Sequence, residues 1–400
     1  MTITEQLDRL AKFSSTEANR EGVTRLPFTP AQEGAARWLA ERMEGLGLTP
    51  RVDPCGTVAG FLPGRREEVL ILGSHYDSVP RGGRYDGCAG ILTALEAVRR
   101  LRASGELPQY SLMVLALNDE EGVRFTESFL SSRTACGDWG PEEWAAIHDR
   151  ETGESLADLM AASPFQGEVI RLPEKAKGYL EFHVEQGPVL DKQGLSAAVV
   201  DRIVGLYHCC YRLRGAQNHA GTTPMDGRTD PMPVFGEIAA RLPGLSRAIP
   251  GSVATVGWVE VAPNAPNVIP GSVEFSVDLR SADPEGLEVL RNRTDALVRE
   301  MAARARIGVD RRAEVRAAPV AMDPAMGGLL ERCMVRAGLP VFHMDSGAGH
   351  DAQIFAQKLP AAMIFAPSRG GLSHCREEFT REEDLQLACD ILLGFIQEEF

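Results

Sequence analysis

Side chains that can bind a metal or move a proton gather where apolar runs of this sequence end. His75 and Asp77 follow directly on Val69–Gly73, in GSHYDSV, and Asp86 comes soon after, in GGRYDGCAG, just ahead of a helical pattern. Glu120 and Glu121 follow the run Ser111–Leu117, in LNDEEG. A lone histidine in a polar loop is most often a surface residue or a cap, and a lone Glu-Glu pair is ordinarily solvated charge. Three successive loop segments that each offer a metal-type side chain, with glycines that let backbone approach closely, form a different case. Imidazoles and carboxylates together are the donor set of a hard-to-borderline divalent cation.

Further histidines stand in similar company. His183 lies in YLEFHVEQG, where Leu180 and Phe182 alternate with Glu181 and His183, which puts His183 on the polar face of a strand ending at Gly187. His374 (RGGLSHCREE), His350 (SGAGHDA) and His219 (QNHAGTTP) all sit in glycine- or turn-rich stretches. The chain has 8 histidines, and His148, His208 and His343 lack that context and read as structural.

The elements that must position these residues begin as alternating helix and strand. Thr29-Pro30 followed by Gln32 predicts an N-cap, a first-turn proline and a helix with Ala36, Leu39, Ala40, Met43 and Leu46 on its apolar face. Glu68–Gly73 and Tyr110–Leu117 are continuous apolar runs, as in strands covered on both faces, and Cys88–Leu101 between them has helical spacing. That order implies a parallel or mixed sheet with helices on its faces. Open α/β sheets bind ligands beyond the carboxyl ends of their strands, so the three chemical segments are expected to share one crevice.

The middle of the chain differs. Strand Leu206–Arg214, helix Asp230–Arg241, strands Ser252–Val261 and Ser272–Arg280, a helix from Asp283-Pro284 to Ala305 and strand Arg311–Ala318 give the βαββαβ order of a ferredoxin-like α+β unit. The α/β rhythm then resumes with helix Pro324–Ala337, strand Ala361–Ala366 and a terminal helix from Arg381. The expected architecture is an α/β mixed-sheet domain, 1–206 and 317–400, interrupted by a smaller inserted domain, 207–316.

Composition excludes several classes. With 400 residues, 44% hydrophobic and 24% charged, the chain is an ordinary globular sequence. A net charge of −14 argues against nucleic acid, which needs clustered Lys and Arg. Apolar runs are strand-sized, so no membrane span is expected. The N-terminus MTITEQLDRL has no apolar signal-peptide core, which predicts a cytoplasmic protein. The 8 cysteines form no CxxC pair and read as reduced thiols.

The strings GSHYDSVPRGGRYDG, NDEEG, FHVEQG, NHAGTTPM, NVIPG with VDLR, SGAGHDA and GLSH, in that order, resemble the N-carbamoyl-L-amino-acid amidohydrolase group, with its allantoate and ureidoglycolate amidohydrolases and β-ureidopropionases. That group belongs to the wider clan of dinuclear-metal aminoacylases and carboxypeptidase G-like peptidases. The resemblance implies two divalent ions per subunit, Zn²⁺ foremost, with Mn²⁺, Co²⁺ or Ni²⁺ as alternatives. His75 and His183 would hold one ion, Glu121 and His374 the other, and Asp86 both; Asp77 would orient the His75 ring. Glu120 would be the general base and His219 the oxyanion donor. Gln186, Asn267, Arg280, Gly349 and His350 would hold a carboxylate-bearing small-molecule substrate, and the inserted domain would act as a lid and pair two subunits into a homodimer. Arg280 also stands on its own chemistry, since a guanidinium fork binds carboxylate bidentately.

The implied reaction is hydrolysis of a linear C–N bond in a ureido or N-carbamoyl amino acid, with water activated between the ions and Glu120 taking its proton. The alternative is hydrolysis of N-acyl-amino-acid conjugates or dipeptides. Cys375-Arg376 replaces the small residue and proline frequent in the group, and Ser131-Ser132 departs from its usual glycine; neither removes a ligand.

Overall fold

The two longest apolar runs become the buried middle of a sheet: Tyr110–Leu117 and Ala361–Ala366 form strands at the expected bounds, the second buried throughout. The computed structural model describes residues 1–399. Its chain divides into two compact units, one of Met1–Asp201 with everything from Ala321 onward, the other Arg202–Val320.

The first unit contains β1 (Thr49–Val52), β2 (Val58–Leu62), β3 (Arg66–His75), β4 (Tyr110–Leu117), β5 (Ala176–Val184) and β6 (Ala198–Ile203). The second follows with β7 (Gly205–Arg214), β8 (Asn218–His219), β9 (Ser252–Thr255), β10 (Val259–Ala262), β11 (Val268–Ile269), β12 (Ser272–Ser281) and β13 (Gly308–Ala317). The chain returns to the first sheet with β14 (Val320–Ala321), β15 (His343–Ser346) and β16 (Ala361–Ala366). That nine-stranded sheet has the order β1-β2-β4-β3-β5-β16-β6-β14, with β15 beside β6. Its centre, β4-β3-β5-β16, is parallel, and β2 and β6 flank it antiparallel. This is the mixed α/β sheet expected, with its core built on helices Pro30–Gly45, Cys88–Ser104 and Glu382–Ile396. Thr29 caps the first of these by accepting the Gln32 N–H through its hydroxyl.

β5 departs from the expected half-exposed pattern. It is buried on both faces, so the side of the strand that carries Glu181 and His183 is interior (0% and 1% exposed).

The second unit is a separate antiparallel sheet, β10-β12-β7-β13 with β9 also on β12. The core formed with helices Pro231–Arg247 and Pro284–Arg304 takes alternate residues of β7 and β12, including Tyr207, Cys209, Tyr211, Phe275 and Val277. The expected continuous strand Ser252–Val261 is broken instead into β9 and β10. At the break the Trp258 N–H donates to the Ser276 hydroxyl and the Ser276 N–H donates to the Trp258 carbonyl, so a side chain replaces one rung of the ladder. Among the described residues no helix is long and apolar enough to cross a membrane.

Candidate metal centre

Four adjacent parallel strands deliver this site from their carboxyl ends. His75 is the last residue of β3, His183 the last but one of β5, Glu120 and Glu121 follow β4, and His374 lies in the loop after β16. Asp86 precedes helix Cys88–Ser104, with Gly87 between them as its N-cap at φ 59°. A Cβ on Gly87 would sit 2.4 Å from the His75 carbonyl oxygen and 2.5 Å from its ring nitrogen Nε2, so only glycine lets Asp86 come this close.

The geometry gathers four side chains about Asp86. Ligand atoms of His75, Asp86 and His183 lie within 4.8 Å of one another, and so do those of Asp86, Glu121 and His374. His75 Nε2 and His183 Nε2 are 3.4 Å apart, and both face Asp86 Oδ1, at 3.3 and 3.2 Å. Behind the rings, His183 Nδ1 is 2.8 Å from the Val184 carbonyl, and His75 Nδ1 is 3.3 Å from the Asp77 carbonyl and 3.5 Å from its carboxylate. Protons on both Nδ1 atoms leave two Nε2 lone pairs and a carboxylate oxygen converging, with the Gly87 N–H, 3.1 Å from His183 Nε2, as one donor for them. On the other side, Asp86 Oδ2 is 3.2 Å from His374 Nε2, which is 3.5 Å from Glu121 Oε2. Gln186 donates its amide to the same Oδ2 at 2.9 Å. Among the described residues, Asp86 Oδ1 and Glu121 Oε1 find no hydrogen-bond partner, and both are buried. Converging acceptors with too few donors suit a cation, so these residues fit a divalent metal.

Asp77 serves both strands. Its carboxylate accepts the Glu120 N–H (3.1 Å) and the Glu121 N–H (3.3 Å) while standing beside His75 Nδ1. Ser131, one of the departures from the group's pattern, is buried and anchors the same loop by accepting the Asn118 N–H at 2.8 Å.

Burial opposes charge on every one of these groups, and their mutual contacts decide the balance. Burial works against a charged His75, yet Glu120, Asp77 and Asp86 raise its pKa well above 6.5. His183 is also raised, against its burial, chiefly by Asp86. Burial pushes the Asp86 carboxyl up, but His183, His374 and His75 hold it well below the usual range. Beside Asp86, His374 rises to about 9; Glu121, buried near Asp86, rises to about 7. Burial lifts Glu120 well above 4.5 in spite of His75. These directions favour extra protons on the cluster whenever no cation shares it.

An imidazole must be neutral to bind an ion, so uptake displaces those protons. The sign is fixed: His374 is mostly protonated below about 9, so affinity rises with pH up to that value. Calorimetry in buffers of different ionisation enthalpy is expected to show protons released on metal binding at neutral pH. An affinity that does not change between weakly acidic and weakly alkaline pH would contradict this.

The remaining expected residues fall as follows. His350 is buried against His183, ring centroids 4.5 Å apart, with Nε2 2.9 Å from the Ser346 hydroxyl. Its burial, with His183 beside it, holds its pKa well below 6.5, so the ring is neutral. Gly349 is half-buried in the same loop. His219, Asn267 and Arg280 belong to the second unit, His219 in β8 opposite Val268 of β11, and Arg280 in β12. Glu181 and Glu378 are among the buried carboxylates that escaped sequence analysis. Glu181 accepts the hydroxyls of Ser74 (3.0 Å) and Tyr179 (3.2 Å) and the Ala352 N–H (2.9 Å); its alternation with His183 was the available signal. Glu378 had no such signal.

Residues 71–398 match the family described as peptidase family M20/M25/M40. The chain belongs to this family. Within M20, it is 34% identical over 400 residues to the N-carbamoyl-L-amino-acid amidohydrolase of Paenarthrobacter aurescens, covering 98% of this chain and 96% of the relative. It is 37% identical over 391 residues to the allantoate amidohydrolase of Escherichia coli (strain K12), covering 96% and 94%. In structure it is similar to a hydantoinase/carbamoylase family amidase from Burkholderia multivorans, with a TM-score of 0.92, 30% identity, and 99% and 96% of the two chains covered. This M20 protein is thus a metal-dependent amidohydrolase of the carbamoylase and allantoate amidohydrolase group, acting on C–N bonds other than peptide bonds.

Proposed function

We propose that this chain hydrolyses the C–N bond of a ureido group in a small carboxylate-bearing substrate: an N-carbamoyl-L-amino acid, allantoate or ureidoglycolate. Two divalent ions per chain, Zn²⁺ foremost, belong to the proposal. The observation that carries it is Asp86, whose two oxygens face separate sets of imidazole and carboxylate donors. The full-length likeness to enzymes named for N-carbamoyl-L-amino acids and for allantoate favours the ureido class.

His75 and His183 would hold one ion and Glu121 and His374 the other, with Asp86 offering an oxygen to each set. Bound there, the ions supply Lewis acidity and lower the pKa of water. Glu120, held by its backbone to Asp77, accepts the proton of the attacking water and returns it to the departing nitrogen. His219 is assigned the oxyanion: its Nδ1 accepts the N–H groups of Gly221 and Thr222 (3.0 and 3.2 Å), which leaves the proton of a neutral ring on Nε2, the donor required. The carbamate released from a ureido substrate decomposes to carbon dioxide and ammonia.

Gln186, Asn267, Arg280, Gly349 and His350 are assigned to the substrate in this proposal, with Arg280 as the carboxylate anchor. Asp278 orients the Arg280 guanidinium, accepting from Nε at 2.9 Å and Nη2 at 3.3 Å. Arg280→Ala is expected to raise KM for carboxylate-bearing substrates about tenfold or more, the loss of a charge-assisted contact. An unchanged KM in steady-state assays would remove Arg280 from this role. Pairing of two chains through the second unit is also assigned, since β13 ends its sheet as an edge strand; a monomer in sedimentation velocity would overturn that assignment.

The test of the reaction is a screen of the metal-reconstituted protein for ammonia release. N-carbamoyl amino acids, allantoate or ureidoglycolate are expected to yield ammonia. Turnover confined to N-acyl amino acids or dipeptides would overturn the ureido assignment.

A further inference from the structure

One buried carboxylate outside the donor set joins two of the segments that carry it. Glu378, 3% exposed, accepts the backbone N–H groups of Tyr85 (2.9 Å) and Asp86 (3.0 Å) through Oε2. Its Oε1 accepts the hydroxyl of Ser373, the residue before His374, at 3.0 Å. The Glu378 N–H donates to the Cys375 carbonyl, so Glu378 sits in a turn that begins just after His374. Gly83 makes room for this contact, because a Cβ there would lie 2.0 Å from Glu378 Oε2. Asp86 and His374 are far apart in the chain, yet the backbone of the first and the neighbour of the second are fixed by one side chain.

We propose, resting on the metal-centre reading above, that Glu378 is the positioning residue of the second donor set. It fixes the separation of Asp86 and His374 so that these two and Glu121 close on one ion. Glu378 touches neither ion nor substrate in this role and acts through the two segments it holds. The first donor set owes less to it, because His75 and His183 are oriented by Asp77 and by the Val184 carbonyl.

The substitutions separate positioning from simple support. In Glu378→Gln the amide oxygen can still accept both backbone N–H groups, and its NH₂ can donate to the Ser373 hydroxyl. Glu378→Ala leaves two buried N–H groups unpaired and releases the His374 loop. Ser373→Ala cuts Glu378 from the residue before His374, together with the 3.4 Å contact of the Ser373 hydroxyl with Asp86 Oδ2, and covers the case in which Glu378→Ala fails to fold.

The experiment is calorimetric titration of the full-length, metal-stripped wild type and variants with Mn²⁺ alone, alongside thermal unfolding of each stripped protein. The wild type is expected to take up two ions. Glu378→Ala and Ser373→Ala are expected to bind the first ion with near wild-type affinity and the second about 10–100-fold more weakly, with Glu378→Gln largely restored. Wild-type affinity for both ions in a folded Glu378→Ala or Ser373→Ala protein would overturn the proposal. So would equal weakening of both ions in step with a lowered unfolding temperature, the mark of a purely structural staple. A wild type that takes up no ion overturns the metal-centre reading itself and is thereby told apart from a failure of Glu378.

Discussion

A Glu120→Gln variant is expected to retain its ions and to lose turnover by about 10²–10⁴-fold. Glu120 stands outside both donor sets, so its loss removes no ligand. Gln has the same shape, and the Glu120 N–H remains on Asp77. What disappears is the ability to take a proton, which an amide cannot do near neutral pH. Burial has already lifted the Glu120 pKa well above 4.5, the direction a group needs if it is both to accept a proton and to give it back. The loss is therefore expected in kcat with KM little changed, read by steady-state ammonia release, with ion content measured on the same sample by elemental analysis. A kcat close to wild type would take Glu120 out of the reaction; a fall in ion content would make it a ligand.

Asp86→Ala is expected to be more damaging, because it touches both donor sets at once. Each set has three members, and Asp86 is the one they share. Removing it leaves His75 and His183 as one pair and Glu121 and His374 as another, and also takes away the carboxylate that raises His183 and His374. Affinity for both ions is expected to fall by well over the roughly 10–100-fold typical of losing an outer-sphere partner, with turnover lost beyond detection. Glu121→Ala, which strips only one set, provides the comparison: it is expected to keep one ion. Elemental analysis after gel filtration distinguishes the two, and an Asp86→Ala protein that keeps a full complement of ions would contradict the shared role.

The proposed metal donors were legible because they follow apolar runs so long that little but a buried strand could form. β4 and β16 are such runs, and both form where expected because their side chains are covered on both faces. Alternation misled at His183, where a polar residue on a regular strand looks solvent-facing although the sheet buries it. The helix Ile3–Leu10 had a signal that was not used. Thr2 and Glu5 form a capping box, and Ile3, Leu7 and Leu10 make a buried stripe. Helices Leu130–Ala135, Pro141–Ala146 and Leu156–Ala162 are too short to show a period and are held by their own small core around Trp139, Ile147 and Met160.

The supporting carboxylates were the least legible. Asp77 could be placed by its nearness to His75, but Glu378 reaches Tyr85 and Asp86 from almost the other end of the chain. Contacts of that range leave no local pattern. His350 is buried against His183, its ring tilted 60° to that of His183 with centroids 4.5 Å apart, a contact that its glycine-rich string did not signal.

The most direct measurement is anomalous diffraction from crystals of the protein soaked in Mn²⁺ or Zn²⁺. Two peaks are expected on either side of Asp86, one contacted by His75 and His183 and the other by Glu121 and His374. Peaks elsewhere, or no peak at these five side chains at saturating ion, would contradict the account at its centre.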